Sequence, residues 1–228
     1  MIQILLLNEA HKQCRKYFVT LTMDTVLIDG INYNLESLEK DCWNRLLNGS
    51  LRYKDAFHNM VVGNVNEHGV NLRTVVLRKV WTAKKQLAFY TDIRCGKWQD
   101  LEQQNKVSFL FYDAPANLQI RLSGTATLHH IDKIADDAWT DTKLSSRKVY
   151  MAEPGPSTII PMPASGLSAT LETTDPTTEE SEGGRKNFGV VVATVDWMEW
   201  LWLSSKGHRR AVFSNKADGS ISQNWLIP

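Results

Sequence analysis

The chain has 228 residues, a formal net charge of +1, 43% apolar side chains and eight Trp. That length suits one large domain or two small ones with a sizeable core, and the apolar share excludes a disordered chain. The near-neutral charge argues against general nucleic-acid binding, which shows a basic excess or stripe, and no apolar run approaches the ~20 residues of a membrane helix.

The opening stretch, MIQILLLNEAHKQC, has an apolar patch with no basic residue before it and no small-residue cleavage site after it. It does not read as a signal peptide. Residues 1–30 read as a peripheral N-terminal extension, with Met23 offering a second start, and 31–228 as a single domain. Cys14, Cys42 and Cys95 form no CxxC pair, which predicts reduced thiols and a cytoplasmic address.

Leu35, Leu38, Cys42, Trp43 and Leu46 recur at helical spacing, predicting a helix over 34–49 closed by Asn48-Gly49. The period then changes. FHNMVVGNV (57–65), NLRTVVLRKV (71–80) and KQLAFYT (85–91) are rich in β-formers, the first two joined through the turn NEHG. CGKWQDLEQQN (95–105) returns to helix. KVSFLFYD (106–113) and NLQIRLSGTATLHHI (117–131) are strands on either side of Pro115, and a helical region runs from Asp132 to about Met151. Pro, Ser, Thr, Gly and acids dominate residues 152–187, so a mobile insertion is expected at about 164–187. FGVVVATVDWMEWLWLSS and RRAVFSN then restore strands, and the chain ends on QNWLIP. Six or seven strands, mostly hairpin-connected, predict a mainly β fold, an antiparallel barrel with flanking helices. The GxGxxG, P-loop and regular βαβ patterns are absent.

Arg73, Arg78 and Lys79 crowd one predicted strand of a nearly neutral protein; they either face solvent or hold an anion. In LQIRLSG (118–124), alternation puts Leu118, Ile120 and Leu122 on one face and Gln119, Arg121 and Ser123 on the other. The second face is either a solvated barrel exterior or the wall of a polar-ligand site. In FYTDIRCGKW (89–98) a strand gives way to a helix with Lys97 in its first turn. The helix dipole disfavours a cation there, which makes more sense if an anion docks on the N–H groups of that end. His129 and His130 adjoin in a strand and face opposite ways, while His58, His68 and His208 show no ligand spacing, so no metal site is predicted. Trp200 and Trp202 share a face, which predicts packing in the core or a dimer interface. No arrangement of nucleophile and base names a catalytic residue.

Taken in order, RTVVLR (73–78), YT (90–91), CGK (95–97) and QIRLSG (119–124) resemble the flavin-binding series of the pyridoxamine 5'-phosphate oxidase-like family, the FMN-binding split barrels. The likeness covers about residues 35–150, and GHRRAVF (207–213) with the terminal WLIP is similar to the family's C-terminal end. It implies a homodimer with FMN at the interface, and an FMN-dependent oxidoreductase moving hydride between a small substrate and the flavin. The alternative it allows is a non-enzymatic flavin- or haem-binding protein of the same fold. By resemblance, Arg73, Val75, Val76 and Arg78 of the first motif, with Tyr90, Thr91 and Lys97, engage the phosphate and ribityl chain. Gln119 then bonds the isoalloxazine, and Arg210 lies across the interface from Arg73 and Gln119. The chemistry agrees, since a phosphate dianion takes guanidinium and ammonium groups and a flavin edge takes an amide that donates and accepts.

The departures from that pattern are specific. The family's Ser-Arg-Lys is Cys95-Gly96-Lys97 here, so one phosphate-binding Arg is missing, and weaker FMN binding or compensation by Arg121 or Arg94 would follow. At the substrate end, where the family's oxidase uses an Arg-x-His pair with Tyr, Arg and Ser, the nearest residues are Trp139, Ser146, Arg147, His208 and Arg209 in a different order. A substrate other than that of the vitamin-salvage enzyme is implied. Arg73 and Arg78 are five residues apart, on opposite faces of an ideal strand, so a bulge or a strand end must intervene if both serve one ligand.

Overall fold

The computed structural model describes residues 25–215 and 220–228; most of the expected N-terminal extension lies outside the described residues. The chain divides into two compact units, one ending at Lys40 and one running from Asp41 to Pro228. In the first, β1 (Val26–Ile28) and β2 (Ile31–Tyr33) form an antiparallel hairpin. Its turn residues Asp29 and Gly30 both have positive φ, 49° and 83°, which Asp-Gly adopts readily. Helix α1 (Leu35–Leu51) begins in this unit, where Asn34 Oδ1 accepts the Ser37 N–H at 2.8 Å and Ser37 Oγ accepts the Asn34 N–H at 3.0 Å. Reciprocal bonds of this kind satisfy orphan donors of a first turn.

Asn48-Gly49 does not end α1, which continues to Leu51. Gly49 serves a close approach instead: a Cβ there would lie 2.7 Å from the Phe57 carbonyl carbon. A glycine late in a helix resembles a stop in sequence, and only the tertiary structure brings Phe57 against it.

The second unit is an antiparallel sheet of β3 (Asn59–Asn66), β4 (Gly69–Val76), β5 (Lys79–Trp81), β6 (Gln86–Asp92), β7 (Lys106–Asp113), β8 (Leu118–His129), β9 (Phe188–Trp202), β10 (Arg209–Asn215) and β11 (Ile221–Leu226). The strands run β11-β10-β9-β8-β7-β3-β4, and the ring closes where β4 hands over to β5. At the handover the Leu77 N–H donates to His58 O at 2.8 Å and the Arg78 N–H to Ala88 O at 2.9 Å. β5 then pairs with β6, and β6 with β9. Strand β9 therefore serves both halves. Its first residues, Phe188–Thr194, face β6, Trp197–Trp202 face β10, and β8 lines the opposite edge along most of its length. The change of partner coincides with a bulge, for Ser123 faces Trp197 and Gly124 faces Val195, leaving Asp196 extra. Only glycine fits at 124, since a Cβ would meet Thr194 O at 2.1 Å.

Alternation sends Met60, Val62, Phe89, Phe109, Phe111, Ile120 and Leu122 into the core, all buried. Phe57 packs on Phe111 at 5.4 Å between ring centres, and Phe89 on Phe109 at 6.3 Å. A second apolar cluster joins Ala88, Phe188, Val190 and Val192 of β6 and β9 to Ala135, Trp139 and Tyr150. These last come from α3 (Lys133–Asp141) and the 3-10 turn Lys148–Met151, with α4 (Leu144–Arg147) between. Asp132 caps α3 by accepting the Ala135 N–H at 3.0 Å. The acidic segment read as an insertion carries α5 (Ala169–Thr173), α6 (Thr178–Ser181) and a 3-10 turn, Glu182–Asn187. Its order rests on polar contacts both local and distant: Thr177 and Glu180 form a full capping box, and Asn187 Nδ2 donates to Tyr150 O at 2.8 Å. Residues 156–165, leading into its N-terminal edge, are exposed throughout.

Candidate functional site

Strand β6 ends on Tyr90, Thr91 and Asp92, and the chain turns through Ile93–Cys95 into α2 (Gly96–Gln103). Asp92 builds this corner, accepting the Arg94 N–H at 2.8 Å, its Nε at 3.0 Å and its Nη2 at 2.7 Å. Arg94 also donates to Ala152 O at 3.0 Å and pairs with Glu153 at 3.1 Å. Thr91, buried, places Oγ1 3.2 Å from Cys95 Sγ. No side chain caps α2, and Cys95 contributes only its backbone there. The helix is fixed to the barrel by Trp98, whose ring lies where a Cβ on Gly189 would stand, at 2.4 Å.

Three cations surround the corner. Lys97 lies over the Phe89 ring, its Nζ 5.2 Å from the centroid. Burial lowers its pKa, Cys95 opposes this, and the neighbouring positive charge of Arg73 adds to it. Arg73 donates to Asn64 Oδ1, and Asn64 Nδ2 donates to Asp100 Oδ2 of α2 at 2.8 Å. Arg78 stacks on Tyr90 at 5.5 Å. Burial raises the Tyr90 pKa, with Arg78 partly offsetting it, and burial holds the Tyr150 phenol well above its usual range, with Arg78, Asp92, Tyr90 and Cys95 as charged or titratable neighbours. Both phenols are neutral hydroxyl donors at ordinary pH. Among the described residues, none of Arg73, Arg78 and Lys97 pairs with a carboxylate. Val75 and Val76 close β4 against Met60 and Asn59. The strand alternation that would separate Arg73 from Arg78 is interrupted at Leu77, where the chain changes partner strands.

Gln119 and Arg121 line a groove of about 570 Å³ with Val61, Leu72, Leu110 and Ser123. Asn64, bonded by Arg73, belongs to the same lining. Arg121 pairs with Glu199 at 3.2 Å, and Arg210 with the same carboxylate. Arg94 and Arg121, the two stand-ins for the missing Arg, thus both have carboxylate partners already. Gly96, the position of that missing side chain, has no atom within 4 Å of where a Cβ would project.

The residues nearest the family's substrate end are dispersed. Arg147 is buried; Nε donates to Trp139 O at 3.1 Å and to Thr142 O at 3.0 Å, and Nη1 to Ser181 Oγ and Glu182 Oε1, both at 3.1 Å. Its guanidinium stacks on Trp139 at 4.6 Å, and Trp139 Nε1 donates to Glu182 Oε1 at 3.0 Å. His208 and Arg209 lie at the exposed turn into β10, where His208 Nδ1 accepts the Ser204 N–H at 3.1 Å and Arg209 Nη1 donates to His208 O at 2.8 Å. His129 is held by Asp132 at 2.7 Å, and His130 bonds Phe188 O at 3.0 Å. Asn64, Tyr150 and Glu199 escaped sequence reasoning. Only Glu199 left a signal, as a carboxylate alternating within DWMEWLW.

Residues 40–130 match the family model described as pyridoxamine 5'-phosphate oxidase, FMN-binding domain. A pyridoxine/pyridoxamine 5'-phosphate oxidase of Psychrobacter cryohalolentis is 28% identical over 171 residues, spanning 69% of this chain and 73% of the relative. Its counterpart from Psychrobacter arcticus is 25% identical over 170 residues, with the same shares covered. Among solved structures, a pyridoxamine 5'-phosphate oxidase-related, FMN-binding protein from Nostoc punctiforme superposes with a TM-score of 0.65 at 18% identity, covering 83% of this chain and 97% of that one. PhzG from Burkholderia lata, solved with tetrahydrophenazine-1-carboxylic acid, gives 0.59 at 16% identity, covering 85% and 90%. At such identities the structures speak to the split-barrel fold alone. Residues 40–130 are thus similar to the FMN-binding domain of pyridoxamine 5'-phosphate oxidase, and the chain shares the split-barrel fold of its structural neighbours.

Proposed function

We propose that this chain is an FMN-dependent oxidoreductase that moves hydride between a small substrate and the flavin. One observation carries the reading: among the described residues Arg73, Arg78 and Lys97, near the Thr91–Cys95 corner, form no ion pair with a carboxylate, the corner's own Asp92 being taken by Arg94. Partly buried cations left unbalanced are costly unless a ligand supplies the anion, and a phosphate dianion matches three such donors. The groove lined by Gln119 has apolar walls that suit a flat ring whose edge an amide can read. FMN would supply the redox chemistry when bound. The chain's own residues hold the phosphate, orient the ring edge through Gln119 and keep water from the apolar walls. Leu72 and Leu110 of the groove, with exposed Val70 in the same lining, offer a surface for a second copy, so the proposed active form is a homodimer.

Titration of purified protein with FMN, followed by a turnover assay with reduced nicotinamide or pyridoxamine phosphate, tests this. The expected result is yellow protein with stoichiometric flavin, and oxidation of one donor. Protein that ignores added FMN overturns the reading, and bound flavin without turnover of any donor assigns the non-enzymatic alternative.

A further inference from the structure

Glu199 stands near the centre of β9's second half and is 3% exposed. Its carboxylate is shared. Oε1 accepts Arg121 Nη1 at 3.2 Å from β8, and Oε2 accepts Arg210 Nη2 from β10. One buried carboxylate set against two guanidiniums leaves a positive charge over. Arg121, half exposed, carries it into the groove, with the Trp197 ring 5.5 Å away to fix the plane of the guanidinium. Arg210 Nε is buried without a partner. Gln119 is two residues before Arg121 on the same face of β8 and lines the same groove.

We propose that Glu199 is a positioning residue, which clamps Arg121 and Arg210 so that one net positive charge faces the carbonyl edge of the ring bound in the groove. The inference rests on the flavin reading given above. A fixed guanidinium beside a ring that gains negative charge on reduction favours the reduced form. Glu199 sets the size of that effect by neutralising one of the two guanidiniums and holding the other in place.

Riboflavin, which lacks the phosphate, separates this site from the cationic corner. Glu199→Gln is expected to weaken FMN and riboflavin by the same factor, about tenfold, and to shift the reduction potential of bound flavin upward because one more positive charge is unmasked. Lys97→Ala, in contrast, is expected to weaken FMN alone. Glu199→Asp should restore part of both effects. If Glu199→Gln does not fold, Arg121→Gln at its exposed position is expected to lower both affinities together and shift the potential downward. Unchanged affinities and potential, or a loss confined to FMN, overturn the proposal while leaving the flavin reading intact. Failure of the unaltered protein to bind FMN overturns both.

Discussion

Lys97 shows how one side chain reports an absent partner. Its ammonium pKa is lowered, first by burial, with Arg73 adding to the effect and Cys95 opposing it. A lysine whose folded pKa lies below its unfolded value makes protonation in the folded state costly, so stability is gained as pH rises from the lowered value towards about 10.4. A phosphate dianion bound beside Lys97 reverses this and draws a proton onto the amine. FMN affinity is therefore expected to fall as pH rises through that window, with proton uptake visible as buffer-dependent heat in calorimetry. Lys97→Met should remove both the uptake and the pH dependence. Arg78→Ala is expected to weaken FMN by roughly 1.5–3 kcal/mol with little change in Tm, because its guanidinium contacts the Tyr90 ring and no carboxylate; an unchanged dissociation constant would show that Arg78 is merely solvated. At Gly96 the space for a side chain is open, so Gly96→Arg should tighten FMN binding by about 1.5 kcal/mol, measured by fluorescence quenching.

Among the elements, the α3–α4 layer and the segment after it behave differently. Arg147 ties α3, α4 and α6 together through buried hydrogen bonds. Arg147→Ala removes the side-chain donor from the carbonyls of Trp139 and Thr142 and from Ser181 Oγ. It is expected to cost about 3 kcal/mol, a fall in Tm of roughly 6–12 °C, while FMN affinity measured below that Tm stays unchanged. A loss of ligand binding at unchanged Tm would restore Arg147 to the site. Residues 156–165 are exposed, with Ile159 97% exposed, and include Pro156, Pro161 and Pro163. Their neighbours at 177–187 are held by the capping box, by Arg147 and by Asn187. Limited proteolysis should therefore cut within 156–168 and spare 178–187, which narrows the mobile part of the insertion to its N-terminal side.

For the molecule as a whole, the surface around the groove carries the argument. Val70 is 71% and Leu72 67% exposed, and both line the groove together with Leu110. A contiguous apolar face of this kind marks an interaction surface more often than bare solvent contact, and two-fold symmetry is the commonest way to cover one. Sedimentation is expected to show a dimer at micromolar concentration, stabilised further by FMN if the flavin binds only the associated form. Leu72→Glu on that face should yield monomer that binds FMN more weakly. A monomeric wild-type chain with stoichiometric flavin would remove both the dimer and the shared site. No helix among the described residues is long and apolar enough to cross a membrane.

What the sequence determined by itself was the period and the residue order. Alternation in LQIRLSG assigned the buried face of β8 residue by residue, because side-chain period is a local property of the backbone. The order of RTVVLR, YT, CGK and QIRLSG carries the likeness to the FMN-binding domain that residues 40–130 match. Local rules stopped where distant segments meet. Gly49 looked like a helix stop until Phe57 was found against it, and the 177–187 stretch looked unstructured because its anchors, Arg147 and Tyr150, lie 30 or more residues away in the chain. Arg121 and Arg210 were legible as cations, but not as partners of Glu199, since β8, β9 and β10 come together only through long-range pairing. The same pairing determined which cations were left without a carboxylate. Charge balance at a site is a sum over neighbours in space, and only the tertiary structure says who those neighbours are.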